Sequence, residues 1–581
     1  MNAEKLFVLT EEEDLLKHQL PEMLDPIRKI AEETKTIFHF DKQWSDKAWN
    51  FFRESGFTGF GIPDLYGGVG WSSRAMIIFN EELSAIDAAL GLSLGATISL
   101  VALSILAWGT DEQKSRWLHL FASGQIKGCY MQTEIEIGSN VAGILGTAVK
   151  ENGVWRITKD CVFITNGAES KETGADVGLA LARTAAKPGD RHYGLTMFIV
   201  DLNRARREGT YLFGRIEEKA GLHLSATATF KLERAVAEDI LGEENHGWDV
   251  AMSTLVGSRA TAIPSQALGV IRGARDKARE YMERRIQFLP LDKIPILRSK
   301  MLRVDSALHA SRLLSWRAAL YKDEMGVKQW REWECEASQA KLFAGDAAKW
   351  APSSAMQMMG GVGYMMKDGV GKYWHDGRII NIYEGTKEIQ EIIVMRRLLK
   401  RLGMKNLWLL GARNKFSFAT RHTAACWLAL VWPVFSSGWS TEEKEFSFAM
   451  RNVQWHNREL YGAYRKLIEQ RYGFLMELGK TLQKFPPDPK GDTFPSPYFK
   501  LAYVFAALEG AKLALWEAAF RVQHKGEALG AYDIALAQDA LGFASELLAT
   551  SRKSRENLSS SPSLRKEIEG KGMLKAEKLT K

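Results

Sequence analysis

At 581 residues, with 46% hydrophobic and 25% charged side chains, the chain is too long for a single core and reads as a soluble globular protein of about three to four domains. The net charge of +8 suits anionic ligands, but no basic run with interleaved aromatics marks a nucleic-acid face. Cys129, Cys161, Cys335 and Cys426 form no C-x-x-C pair and no H-E-x-x-H occurs, so no metal site is expected and a reducing compartment is.

The N-terminus, MNAEKLFVLTEEEDLLKHQL, is acidic and amphipathic. It lacks a signal-peptide apolar core and the Arg-rich, acid-poor character of a transit peptide, so a cytoplasmic protein is the expectation. Apolar periodicity in DLLKHQLPEMLDPIRKI and in SLVALSILAWGTDEQKSRWLHLF predicts helices across 1–128, separated by turn signals at Pro63-Asp64 and Gly67-Gly68. The small-residue run LGLSLGATISL fits a long channel or close helix packing.

From 129 to 240 the pattern changes to alternation. TAVKENGVWRIT predicts a hairpin around Asn152-Gly153, because Asn-Gly accepts the positive φ angles of a two-residue turn. GLTMFIVDL and SATATFKLE predict further strands. Helical patterns return over 241–400 in four runs, the first carrying Pro264, where a kink or break is expected. The stretch Gln357–Arg396 begins with a Gly-rich turn, Gly360-Gly361-Val362-Gly363, which lets backbone approach a ligand. It then presents Glu384 in Tyr383-Glu384-Gly385-Thr386, just before an amphipathic helix. Read alone, Glu384 is a helix N-terminal acid favoured by the macrodipole.

Residues 401–581 are mostly helical, interrupted by the Pro-rich segment PPDPKGDTFPSP and ending in the Lys-rich tail KGMLKAEKLTK. The most apolar stretch, TAACWLALVWPVFSSGW at 423–439, is too short for the roughly 20 apolar residues of a span. Its Trp427, Trp432 and Trp439 suit either a segment lying on the inner face of a membrane or a buried helix. The expected class is therefore α+β, mainly α. It comprises an N-terminal helical domain (1–128), a central β-domain (129–240), a four-helix bundle (241–400) and an additional helical domain (401–581) for dimerisation or membrane association.

QMMGGVGY followed by YEGTKEIQ closely resembles the flavin-dependent acyl-CoA dehydrogenase family, whose last domain carries Q-x-x-G-G-x-G-Y and then Y-E-G-T-x-E-I-Q. GFTGFGIPDLYGGVG, WGTDEQKSRWL and LGEENHGW match further family segments in the same order. The resemblance implies Glu384 as catalytic base, since Ser258, at the position where a minority of members carry the base, cannot serve. It implies FAD contacts at Tyr130, Gln132, Thr133, Ser139, Phe163, Ile164, Thr165, Arg285, Phe288, Gln357, Gly360, Gly361, Thr386 and Glu388. Phe163 would give an apolar face and Thr133 and Thr165 hydroxyls to the isoalloxazine. Ser139, Arg259, Tyr383 and Gly385 would lie on the substrate side. The chain departs from the family with Ile135 for Pro and Asn140 for Asp in T-E-P-x-x-G-S-D. Leu289 and Ile296 likewise replace the Gly of E-R-x-x-F-G and a following Gln.

The implied activity is α,β-dehydrogenation of a fatty acyl-CoA in β-oxidation, with electrons passing to an electron-transfer flavoprotein. The C-terminal extension resembles that of very-long-chain members, which implies a long acyl chain and a homodimer. Rival readings are an acyl-CoA oxidase, a flavoprotein of this fold associated with DNA, and a membrane-docked acyl binder without flavin.

Overall fold

In the computed structural model the described residues are 3–34, 38–184, 192–402, Phe446, Met450, 458–484, 496–524 and 531–560. The N-terminal domain is built from α1 (Glu11–Met23), α2 (Asp25–Thr34), α3 (Lys42–Glu54), α4 (Ser73–Ile86), α5 (Ala88–Trp108) and α6 (Asp111–Ala122). Local chemistry fixes the starts of these helices. Thr10 with Glu13 and Thr110 with Gln113 form reciprocal capping boxes, and Asp41 caps α3. Glu13 is also buried and takes two hydrogen bonds from Arg74, at 2.9 and 2.5 Å, which ties α1 to α4. Helix α5 is long and apolar enough to cross a membrane, yet it lies mostly inside the protein. Its middle, Ala96–Ala102, widens into π-helical turns, a distortion that often marks a functional site.

The β-domain is one eight-stranded sheet: β1 (Gly128–Met131), β2 (Thr147–Glu151), β3 (Val154–Thr165), β4 (Val177–Arg183), β5 (Leu195–Asp201), β6 (Tyr211–Ile216), β7 (Thr227–Val236) and β8 (Asp239–Leu241). The order is β6-β7-β3-β2-β4-β5-β8, with β1 parallel to β4. Asn152 and Gly153 turn β2 into β3 with φ of +49° and +84°, as their sequence predicts. Asn166, at the end of β3, donates to Ser93 O (2.9 Å) and Thr97 Oγ1 (3.3 Å), docking the sheet on α5.

The bundle contains α7 (Gly247–Ala260), α8 (Ala262–Arg284), α9 (Pro295–Met325) and α10 (Trp330–Met359), then α11 (Val370–Gly377) and α12 (Lys387–Leu402). The first run breaks between α7 and α8 at Thr261, whose φ/ψ of −125°/−73° leaves the helical region. Pro264 sits in the first turn of the new helix, where its missing N–H costs little. The sheet meets the bundle through Asp376, which accepts the Leu222 N–H at 2.6 Å and pairs with Lys372, itself 3.0 Å from buried Asp87.

The extension contributes α13 (Arg458–Lys484), α14 (Ser496–His524) and α15 (Ala531–Ser560). It is riveted to the bundle by Glu509, fully buried on α14, which binds Arg317 of α9 at 2.7 Å, Arg471 of α13 at 2.5 Å and Lys512 at 3.2 Å. These opposite charges hold the Glu509 carboxyl well below the ordinary range despite its burial. Near the N-terminus Phe7 meets Trp516 edge-to-face at 5.4 Å, so the first residues also touch the extension. The Trp-rich segment 423–439, Cys426, most of the Pro-rich loop and the Lys-rich tail lie outside the described residues.

Candidate active site

The site is organised around the turn between α11 and α12. Glu384 has φ +50° and Gly385 φ +90°, consecutive left-handed conformations. Glycine adopts this conformation freely, whereas glutamate needs outside support to hold it. Gly345 on α10 permits the approach: a Cβ there would lie 2.7 Å from Asn381 Oδ1 at the start of the turn.

The support comes through backbone carbonyls. Arg259 Nε, from α7, donates to Glu384 O at 2.8 Å. Lys341 Nζ, from α10, donates to Tyr383 O at 2.6 Å and also to Gly385 O, which takes a further bond from Gln390 Nε2 at 3.0 Å. The Tyr383 hydroxyl donates to Gln266 Oε1 on α8. Glu384 itself keeps Oε2 buried without a hydrogen-bond partner. Among the described residues its backbone N–H makes no backbone hydrogen bond.

A buried, unpartnered carboxylate oxygen resists ionisation. Burial accordingly pushes the Glu384 carboxyl up, while the Ser258 hydroxyl and the Lys341 and Arg259 cations pull it partway back. Burial drives Lys341 well below the usual amine range, and the like charge of Arg259 adds to the effect. The Tyr130 phenol, at the end of β1, is pushed up by burial and then by Glu384, so the β-domain closes over the acid.

Glu384 lines a cleft of about 1820 Å³ between the sheet and the bundle. A pocket for one drug-sized ligand is about 300–1,000 Å³, so the cleft has room for two molecules side by side. On the sheet side stands Phe163, with φ +59° at an irregularity in the β3–β7 ladder and 64% exposed. Exposing a strained phenylalanine is unfavourable unless a planar ligand covers its ring. Thr133 and Thr165 add hydroxyls to the same wall, so the donor set and the aromatic platform fit a flavin.

Of the residues singled out in the sequence, Tyr130, Gln132, Thr133, Ser139, Phe163, Ile164, Thr165, Arg259, Tyr383, Glu384, Gly385 and Thr386 all border this cleft. Arg285, Phe288, Gln357, Gly360 and Gly361 are exposed away from it, and Glu388 is exposed at the start of α12 between the cleft residues Thr386 and Ile389. The Arg285 loop folds on itself, with Leu291 N donating to Arg285 O at 3.0 Å and Phe288 97% exposed. Arg259 is only 4% exposed and grips the turn, whereas the sequence suggested a substrate contact alone.

Sequence reasoning missed Lys341. It stands 43 positions before Glu384 in an ordinary helical run, and no motif announces it. It also missed the ring pair His192–Trp248, 5.1 Å apart and tilted by 44° at the cleft. Leu92, Ala96 and Leu100, which give the cleft an apolar wall from α5, the last two from its π-helical part, were visible only as a run of small and apolar residues.

Comparisons with known proteins agree with this geometry. Residues 10–125 match the family model "Acyl-CoA dehydrogenase, N-terminal domain" and residues 245–399 match "Acyl-CoA dehydrogenase, C-terminal domain". A short-chain-specific acyl-CoA dehydrogenase of Clostridium acetobutylicum is 32% identical over 68% of this chain and 100% of its own. A chain in a structure described as "Electron transferring flavoprotein of Acidaminococcus fermentans: Towards a mechanism of flavin-based electron bifurcation" is 32% identical, with a TM-score of 0.62 over 68% of this chain and 99% of that one. An acyl-CoA dehydrogenase of Bacillus anthracis, solved with FAD, has a TM-score of 0.75 at 20% identity, covering 98% of this chain and 93% of its own. That likeness, of fold alone, extends through the C-terminal helices.

Proposed function

The chain belongs to the acyl-CoA dehydrogenase family, and from that premise we propose that it removes hydrogen across the Cα–Cβ bond of a fatty acyl-CoA, with Glu384 as base and FAD as cofactor. The observation that carries the reading is the buried, unpartnered Oε2 of Glu384 in a cleft shared with the exposed ring of Phe163. Bound FAD would supply the acceptor for the hydride leaving Cβ. Phe163, Thr133, Thr165, Tyr130 and Gln132 would hold it.

Glu384 takes the α-proton. In water a carboxylate is far too weak a base for this step, and burial raises its basicity despite the Ser258 hydroxyl and the Lys341 and Arg259 cations. The Glu384 N–H provides a donor for the thioester oxygen, where negative charge develops. Along α12, Arg396, Arg397 and Lys400 also border the cleft. At 1.5 Å per helical residue they lie roughly 15–20 Å from the turn, which suits the phosphates of CoA when its thioester sits at Glu384.

The acyl group is the finer part of the reading. The short-chain name of the C. acetobutylicum relative lends no support to a long substrate, whereas the apolar wall of Leu92, Ala96 and Leu100 favours an extended chain. An electron-transfer flavoprotein as acceptor accords with the A. fermentans likeness. The exposed Arg285, Phe288, Gln357, Gly360 and Gly361 would reach a cofactor only in the cleft of a second copy, which favours a homodimer. A cytoplasmic location is part of the same proposal.

The test is anaerobic titration of the purified protein with acyl-CoAs of graded length, read by flavin absorbance. Wild type is expected to bleach, whereas Glu384→Gln keeps its flavin and bleaches with none. Full bleaching of the variant, or no bleaching of wild type with any acyl-CoA, overturns the assignment. Reoxidation by air with stoichiometric peroxide would instead make the enzyme an oxidase.

A further inference from the structure

We propose that Lys341 is a positioning residue for the base: its ammonium clasps the carbonyls on both sides of Glu384 and holds the carboxylate toward the cleft. The inference rests on the reading of Glu384 as the base and adds a residue to it.

The geometry is specific. Lys341 is 1% exposed and donates to Tyr383 O and Gly385 O, of the residues immediately before and after Glu384. Arg259 takes the carbonyl between them at 2.8 Å. Three successive carbonyls of one turn are therefore bound by the two buried side chains, while among the described residues neither hydrogen-bonds the Glu384 carboxylate.

This arrangement resolves a conflict built into any buried carboxylate base. A cation bonded directly to the carboxylate would orient it but would also stabilise its charged form and weaken it as a base. Cations bonded to the backbone orient the same side chain at a distance and leave Oε2 without a partner. They also stabilise a φ of +50° that a glutamate would otherwise leave. Burial and Arg259 pull the Lys341 pKa down and the carbonyl dipoles converging on Nζ pull it back; in either form the nitrogen has the two N–H groups the clasp needs.

The charged and titratable groups around this clasp come from every adjoining element. Arg259 is on α7, Glu334 on α10, Glu388 on α12, Tyr383 and Glu384 in the turn, and Tyr130 on β1. Glu334 is engaged by Arg397 of α12, and Glu388 is exposed. Lys341 is thus the cation whose removal most directly changes both the hold on the turn and the field at Glu384.

The test compares Lys341→Met and Lys341→Gln with wild type as FAD-loaded enzymes, after confirming that wild type bleaches with an acyl-CoA. Three readings are taken: the rate of flavin reduction against pH, the KM for acyl-CoA, and the absorbance change on adding a 3-thia-acyl-CoA. In that analogue sulfur replaces the β-carbon, so the α-proton can leave but no hydride can follow. Losing the clasp should lower kcat and α-proton removal about 10- to 100-fold, because a base displaced by up to 1 Å loses about that much. KM and flavin content should change little. The field of Lys341 lowers the Glu384 pKa, so its loss should move the acid limb of the rate profile to higher pH. Lys341→Gln, which keeps one donor, should recover part of the rate. A variant with wild-type kcat and an unmoved acid limb refutes the proposal, even if it melts earlier. A slower variant with an unmoved limb also refutes it, and makes Lys341 a packing residue. If wild type itself does not bleach, the assigned reaction fails and the role of Lys341 falls with it.

Discussion

Replacing Gly385 by alanine tests whether the turn must be held where it is. The glycine has φ +90°, and an added Cβ would lie 2.7 Å from Gln390 Nε2 and 3.0 Å from Arg259 Nη2. Ordinary contact begins near 3.4 Å, so the two side chains must retreat by several tenths of an ångström or the turn must move. Neither retreats freely, because Gln390 is bonded to Gly385 O and Arg259 to Glu384 O. The left-handed backbone adds about 1–2 kcal/mol for a residue with a Cβ, and overpacking adds about 1–3 kcal/mol. Part of that energy is relieved by moving Glu384, and a shift approaching 1 Å costs about 100-fold in rate. Stopped-flow flavin reduction by saturating acyl-CoA should therefore slow about 10- to 100-fold, with FAD content unchanged. A rate within twofold of wild type would show that the orientation of the turn does not limit proton removal.

Two more outcomes follow from other parts of the molecule. Phe163→Ala removes the platform assigned to the flavin, and losing the burial of one aromatic ring, about 1.5–3 kcal/mol, should weaken FAD about 10- to 100-fold in a reconstitution titration. Glu509→Ala takes the shared carboxylate from buried Arg317 and Lys512 and from half-buried Arg471 and should cost about 3–5 kcal/mol in denaturant unfolding. The pH dependence of that loss has a definite sign. The native Glu509 pKa lies below its unfolded value of about 4.3. Its contribution is thus complete above that value and is lost as pH falls toward the native one, and the variant should lack this part of the acid sensitivity.

The features legible in the sequence are the local ones. Asn152-Gly153 specifies its own turn, Thr10 with Glu13 and Thr110 with Gln113 declare helix starts, and Pro264 disfavours a continuous helix whose break falls at Thr261. Glu384 was found because its neighbours form a compact motif. Lys341 was not legible, and Arg259, singled out for the substrate side, gave no sign of its hold on the turn: they reach it across 43 and 125 positions, through backbone carbonyls that carry no residue-specific signature. The exposure and positive φ of Phe163 arise from an irregular register between β3 and β7, a property of the paired sheet. Arg285 and Phe288 read as cofactor contacts from their motif, yet within one chain their loop closes on itself away from the cleft.

Helix α5 serves two structural ends at once, for it is a central timber of the N-terminal domain and a cleft wall at Leu92, Ala96 and Leu100. Leu90, Leu94, Ile98 and Val101 of the same helix pack in the core, so a bulkier side chain in the wall would push on the helix that carries them. Retuning substrate choice here should therefore proceed in paired steps, each enlargement or filling of the wall accompanied by a compensating change on the opposite side of the helix.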